Sequence, residues 1–174
     1  MKLNTRDIVY IGFIAALCAV ATTIRIEIPG GAMVHLGSAA LFTTSILFGG
    51  LYGGLGAAIG SALFDLFGGH TQYIVFSFFI KGIAGLIVGT MTAGYLPPSL
   101  QQKTASLGRI MVALIIGALW TALGYFIAWW FVLESAVIAA SKIQYSLITS
   151  AAGIVVTIIL APKLQKVVRR LLAR

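Results

Sequence analysis

Residues 30–73 read GGAMVHLGSAALFTTSILFGGLYGGLGAAIGSALFDLFGGHTQY, two apolar runs set between polar ends. Glycines recur at helical spacing, Gly49 with Gly53, Gly50 with Gly54 and Gly56 with Gly60. Such strips carry no side chain and let a neighbouring helix backbone approach closely, which in lipid takes the place of the hydrophobic effect. The stretch therefore reads as a tight pair of membrane helices turning at 49–54. Groups that hydrocarbon tolerates badly sit at its rim: His35 before the first run, and Asp65, His70, Thr71 and Gln72 after the second.

Composition extends this reading to the whole chain. Of 174 residues, 60% are hydrophobic and 9% charged, with a mean hydropathy of +1.04, against about 45–50% apolar and about 25% charged in soluble domains. An irregular backbone exposed to lipid would leave peptide groups unsatisfied, so an all-α integral membrane protein is expected. At roughly 20 apolar residues per span, the blocks give six helices in one domain covering 1–174, at about 8–24, 37–48, 51–67, 73–95, 110–132 and 143–161, with a basic tail at 162–174. The run at 38–48 is short for a span at about 1.5 Å per residue, so the second helix should be short or tilted.

Charge sets the orientation. Lys2, Arg6, Lys103, Arg109, Lys163, Lys166, Arg169, Arg170 and Arg174 fall on one side of this topology, and Arg25 and Lys142 on the other. The positive-inside rule then puts both termini in the cytoplasm. The net charge of +8 does not point to nucleic acid, because the basic residues cluster at segment ends. The tail KLQKVVRRLLAR reads as a helix on an anionic inner leaflet. The first block could also be a cleaved signal, since 19–21 has the small-x-small form of a cleavage site, but Asp7 and the Ala15/Ala19 strip favour a retained helix.

The outer side collects the chemistry. Pro29-Gly30-Gly31 breaks the first outer loop, 25–36, which carries Arg25, Glu27 and His35. Lys81 lies about two turns below the outer end of the fourth helix, at a depth where a lysine should face protein or water. Asp65 and Lys81 read either as an ion pair tying two helices together or as polar groups of a ligand pocket. His35 and His70 could join Asp65 or Glu134 around a metal, but the spacing matches no metal motif. Trp129, Trp130, Tyr73 and Tyr145 fit an interfacial belt, from which one or two could stack on a flat ligand. No catalytic motif or nucleotide-binding loop is present, and the lone Cys18 supports neither a disulfide framework nor a metal site.

HLGSAALFTTSILFGGLYGGLGAAIGSALFDLFGGHTQY, followed by FSFFIKGIAGLIVG, resembles the substrate-binding S component of energy-coupling factor (ECF) transporters. Within that family it looks like the group of hydroxymethylpyrimidine-type and pyridoxine-type vitamin carriers, related to the riboflavin carriers. The resemblance covers essentially the whole chain. It implies a six-helix bundle in a bacterial cell membrane that binds one vitamin near the outer face. It also implies docking onto a transmembrane scaffold (T) subunit driven by two cytoplasmic ATPase (A) subunits, with no enzyme activity, cofactor or metal of its own. Ala15 and Ala19 match the small-residue strip used against the scaffold. The ligand region corresponds to His35, Asp65, Gln72, Tyr73, Lys81, Trp129, Glu134, Lys142, Gln144 and Tyr145. Hydroxymethylpyrimidine or pyridoxine is the expected cargo, with another vitamin such as riboflavin as the alternative. A stand-alone facilitator, or a membrane enzyme using Asp65, His35 or His70, would be the competing classes.

Overall fold

The computed structural model describes residues 4–28, 32–97 and 105–172. The helix-breaking Pro29-Gly30-Gly31, and Pro98 and Lys103 of the expected inner loop, lie outside the described residues, as do Lys2 and Arg174.

Among the described residues five helices are long and apolar enough to cross a membrane: α1 (Thr5–Thr23), α2 (Gly37–Phe67), α3 (Ile74–Thr92), α4 (Leu107–Leu133) and α5 (Ala136–Leu172). Where separate helices were expected at 37–48 and 51–67, a single helical element runs through, interrupted at Gly49, whose φ of 84° and ψ of 174° are not helical. The interruption is a reversal. A Cβ placed on Gly53 would lie 2.5 Å from Ser45 Cα, so the arm before Gly49 and the arm after it fold back on each other. Gly49 takes the positive φ that most side chains forbid, and the turn is fixed by Gly50 and Leu51 donating to the Gly94 and Tyr95 carbonyls, both at 2.9 Å.

The fold is not wholly helical. Arg25–Ile28 (β1) and Ala32–His35 (β2) form an antiparallel hairpin, with Arg25 opposite His35 and Glu27 opposite Met33. Alternation in RIEI and AMVH is short, and a loop reading from the proline and glycines overlooked that the flanking residues can satisfy their peptide groups by pairing.

Helix ends also differ from expectation, for local reasons. Asn4 and Asp7 form a reciprocal capping box that starts α1 at Thr5. The Ser135 hydroxyl accepts from Ile138 N–H at 3.3 Å, so α5 begins about two turns earlier than 143, through the helix-favouring run at 136–140. At its other end α5 continues through Pro162 into the basic tail, where Pro162 removes one donor but neighbouring helices support the backbone. Val168 of this extension is buried in the core cluster.

Packing centres on α2. Both arms lie against α1: a Cβ on Gly37 would meet the Thr22 side chain, and one on Gly60 would meet the Ala15 carbonyl at 2.4 Å. The second arm also lies against α3, where Gly89 packs on the Gly49–Gly50 backbone. Phe42, Leu41, Ile46, Ile14, Leu114 and Val88 fill the interior. This arrangement leaves α5 beside β2 and the first arm, with Thr157 and Thr43 sharing a hydrogen bond at 3.1 Å.

Candidate functional site

Beneath the β-hairpin the helices separate around a cavity of about 80 Å³ that opens to solvent. Each wall follows from a helical register. On α3, Ser77 and Lys81 are four residues apart and share one face; on α4, Thr121, Tyr125 and Trp129 repeat at the same interval; on α5, Ser146 and Thr149 reach the space; Phe64 and Asp65 close it from the end of α2.

Its charged groups are left without charged partners. Lys81 is 4% exposed, and its Nζ donates to Ser38 Oγ at 3.3 Å and stands 5.3 Å from the centre of the Tyr125 ring. Asp65 is 7% exposed, and its Oδ2 has no hydrogen-bond partner. Among the described residues no ion pair joins Asp65 to Lys81; Arg25 pairs with Glu27 at 2.7 Å, outside the cavity on the hairpin. Tyr125 and Ser77, hydrogen-bonded at 2.9 Å, both line the cavity with them. Removing an ion from water costs several kcal/mol, which direct pairing would offset. Lys81 and Asp65 lack it.

The histidines play different parts. His35 Nδ1 accepts from Gly37 N–H at 3.1 Å, which leaves the ring proton on Nε2. Burial, reinforced by the Lys81 and Arg25 charges, pushes the His35 pKa down to about 3, so the ring is neutral at physiological pH. His70 stacks on Phe64 with centroids 5.9 Å apart, and its Nδ1 has no partner. Arg25 lies 5.1 Å from the centre of that same Phe64 ring, joining the hairpin to the cavity wall. Among the described residues no cluster of three metal-ligating side chains occurs.

Of the residues expected in the ligand region, His35, Asp65, Tyr73, Lys81 and Trp129 line the cavity. Gln72 is exposed in the short Thr71–Tyr73 turn, and Glu134 is exposed with φ 52° at the end of α4. Lys142 is buried on α5 and Tyr145 is half-buried, neither lining the cavity, while Gln144 Nε2 donates back to the Ser141 carbonyl at 3.1 Å. The early start of α5 carries Lys142, expected in the outer loop, onto the helix, while Gln144 and Tyr145, expected on the helix, turn away from the cavity. One turn further along, Ser146 and Thr149 take the cavity face. Ser38, Ser77 and Tyr125 were also overlooked, although Ser77 stands four residues before Lys81 and Tyr125 four before Trp129.

Ala15 and Ala19, the expected docking strip, lie on α1. Ala15 is 3% exposed, packed under Gly60, and Ala19 is half-buried, whereas the small residues exposed on α1 are Gly12 and Ala16.

Comparison with known proteins gives three findings. A model of the family described as "ECF-type riboflavin transporter, S component" matches residues 2–166. A protein of Pyrococcus woesei, described as "Uncharacterized protein in gap 3'region", is 32% identical over 111 residues, which cover 63% of this chain and 68% of that one. A solved structure titled "Structure and mechanism of the S component of a bacterial ECF transporter" superposes with a TM-score of 0.66 at 20% identity, covering 94% of this chain and 98% of that one. At that identity the likeness is one of fold.

Proposed function

The chain belongs to the family of ECF-type riboflavin transporter S components, and on that premise we propose that it captures a small, flat, water-soluble vitamin or precursor in the cavity beneath the hairpin. S components are substrate-binding subunits of transporters and not enzymes, which removes the acid–base reading of Asp65, His35 and His70. They work with T and A subunits, so this multi-pass membrane protein passes its cargo to a scaffold and two ATPases. The arms of α2 on either side of Gly49 act as separate crossings, which makes six in all, in one membrane domain with both termini in the cytoplasm and the hairpin outside.

The observation that carries the reading is the buried cavity with Lys81 and Asp65 unpaired between aromatic rings. A vitamin pocket needs this: mostly apolar walls and a few placed polar groups. Two cargoes compete. The family's description favours riboflavin, whereas two opposite charges on one wall favour a compact ring with polar edges, hydroxymethylpyrimidine or pyridoxine.

Titration of the purified, detergent-solubilised protein without ATP or partners decides the matter, following tryptophan fluorescence from Trp129 against pyridoxine, hydroxymethylpyrimidine, thiamine, riboflavin and pantothenate. Tight one-to-one binding of one flat-ring compound is expected. Folded protein that binds none of the five, or vesicles holding this protein alone that accumulate solute, would overturn the reading.

A further inference from the structure

A second cavity lies on the flank of the bundle, between the arm of α2 that follows Gly49 and α3, and it shares no lining residue with the cavity beneath the hairpin. Its volume is about 210 Å³, against about 80 Å³ for the other. The two helices meet backbone to backbone at its floor, since a Cβ on Gly54 would lie 2.9 Å from the Gly82 carbonyl oxygen. Leu51 and Leu55 from α2 and Phe79 and Leu86 from α3 bound it, and among the described residues no charged side chain lines it. Phe79 and Leu86 are exposed, so in a membrane the slot faces hydrocarbon. Left empty, its walls would lose dispersion contacts on one side, and a water there would lack the polar partners it needs. The slot calls for an apolar occupant.

Its shape says which. Small residues spaced by four, Gly50, Gly54 and Ala58, would ordinarily offer a strip to a second helix. Here the chain already uses them: a Cβ on Gly50 would lie 2.9 Å from the Leu86 carbonyl oxygen, Gly54 faces Gly82, and Ala58 is 2% exposed. What remains is a slot between side-chain ridges, with an area far below the roughly 800 Å² per partner of a stable protein interface. A helix about 10 Å across does not enter it. Its length is that of one leaflet. From Gly50 to Ala58 on α2, and from Phe78 to Leu86 on α3, a rise of about 1.5 Å per residue gives about 12 Å, close to half of the roughly 30 Å hydrocarbon core. The ends fit as well. Tyr95 is exposed beside the Gly49 turn, its carbonyl accepting from Leu51 N–H at 2.9 Å, where an aromatic ring meets headgroups. Phe78 and Phe79, edge to face with centroids 5.4 Å apart, stand at the deep end.

We propose that this slot holds one acyl chain of a phospholipid in the leaflet on the Gly49 side, the cytoplasmic leaflet in the topology proposed above, with the chain on the glycine floor and the headgroup beside Tyr95. A chain against a smooth helix face has protein on one side only. In the slot it has protein on three, the floor and both edges, so it gains more contacts and exchanges more slowly than bulk lipid. Because no charge lines the slot, the acyl chain is recognised and the headgroup is not.

The test reconstitutes the whole chain in nanodiscs with phosphatidylcholine or phosphatidylglycerol carrying a photoreactive diazirine in mid-chain. Label should concentrate in 50–58 and 78–86 over Leu119 and Leu123, which are exposed on α4, and to the same extent for both headgroups. Native mass spectra from mild detergent should show one phospholipid retained per chain. Leu55→Trp and Leu86→Trp place a larger ring in the slot and should retain the lipid about 10- to 100-fold less, the range for forcing bulk into occupied space. Leu119→Trp should retain it as wild type does. Label spread evenly over the lipid-facing helices, retention that follows the headgroup, or slot-filling variants that keep their lipid would overturn the assignment. So would a dimer that shields the slot from label, which would make a second copy the occupant. The labelling pattern needs only the wild-type chain, so it decides the point even if the tryptophan variants do not fold. None of these outcomes bears on capture of a cargo in the cavity beneath the hairpin.

Discussion

The two ends of the bundle use polar residues in opposite ways. At the Gly49 end the charged groups beside the turn are engaged: Asp7 accepts from the Tyr52 hydroxyl and from Asn4 N–H, Asn4 caps Asp7 in return, and Arg6 lies over the Tyr10 ring at 5.5 Å. Tyr10 stacks on Tyr52, with centroids 6.3 Å apart. At the hairpin end, Lys81, Asp65 and His70 keep polar atoms facing a cavity without charged partners. Polar atoms in a membrane interior are costly, so under the proposed capture of a cargo the closed end holds itself together and the open end holds something else.

Substitution at the closed end should be the most damaging. A Cβ on Gly89 would lie 2.4 Å from Gly50 N and 2.5 Å from Gly49 C, backbone that cannot yield. Gly89→Ala should cost at least about 3 kcal/mol, the upper range for overpacking, seen as loss of monodisperse protein or a large fall in melting temperature. Gly12→Ala on α1, where a Cβ meets nothing within 4 Å, is the control and should be neutral or stabilising by up to about 1 kcal/mol. Equal effects at the two glycines would remove the claim that the turn is the rigid end.

The open end should show the reverse pattern. Lys81→Met takes away a buried ammonium that lacks a counter-ion, so stability should hold or rise while cargo affinity falls about 10- to 100-fold. Asp65→Asn should behave alike. This pairing of unchanged stability with lost binding is the signature of groups kept for a ligand. A variant that lost stability and affinity together would show Lys81 to be structural, and the contrast between the ends would collapse.

Tyr52→Phe sharpens the comparison from the other side. It deletes the hydroxyl that reaches Asp7 and should cost about 1–2 kcal/mol with cargo affinity unchanged, because the contact lies at the end away from the cavity. A shift in affinity would mean that the ends are mechanically coupled.

How far the sequence carried this picture also divides by region. Membrane helices, the reversal at the glycine pairs and a polar rim were readable because hydropathy and glycine spacing are local signals. His35, Asp65 and Lys81 stood out because ionisable residues are rare in such a chain. What escaped notice were residues defined by a partner's position: Ser77 and Tyr125 are ordinary until their registers converge, and Ser38 matters because Lys81 reaches it. The rim of α5 misled for a local reason, since Ser135 begins the helix early and withdraws Lys142 from the loop in which its charge seemed to place it. The hairpin was masked by a glycine-rich segment that reads as irregular.

The smallest effect concerns His35, which belongs to the open end but is itself satisfied. Its folded pKa of about 3 lies below the unfolded value of about 6.5, so between those limits the unfolded chain binds more protons than the folded one. Stability is therefore unaffected by His35 above about pH 7 and falls as pH drops, with a limiting slope of about 1.4 kcal/mol per pH unit. At pH 5.5 the loss should be about 1 kcal/mol relative to pH 8, measured as a lower melting temperature in detergent. His35→Asn keeps a side-chain acceptor for Gly37 N–H and removes the titration, so its melting curve should flatten over the same interval. If the variant kept the full acid sensitivity of the wild type, the proton would be binding elsewhere, and the view of His35 as a neutral ring held by burial and by the Lys81 charge would fail. Should the sensitivity disappear, His35 joins Arg25 and Glu27 as ionisable groups of the open end whose needs the protein meets by itself, in contrast to Lys81 and Asp65.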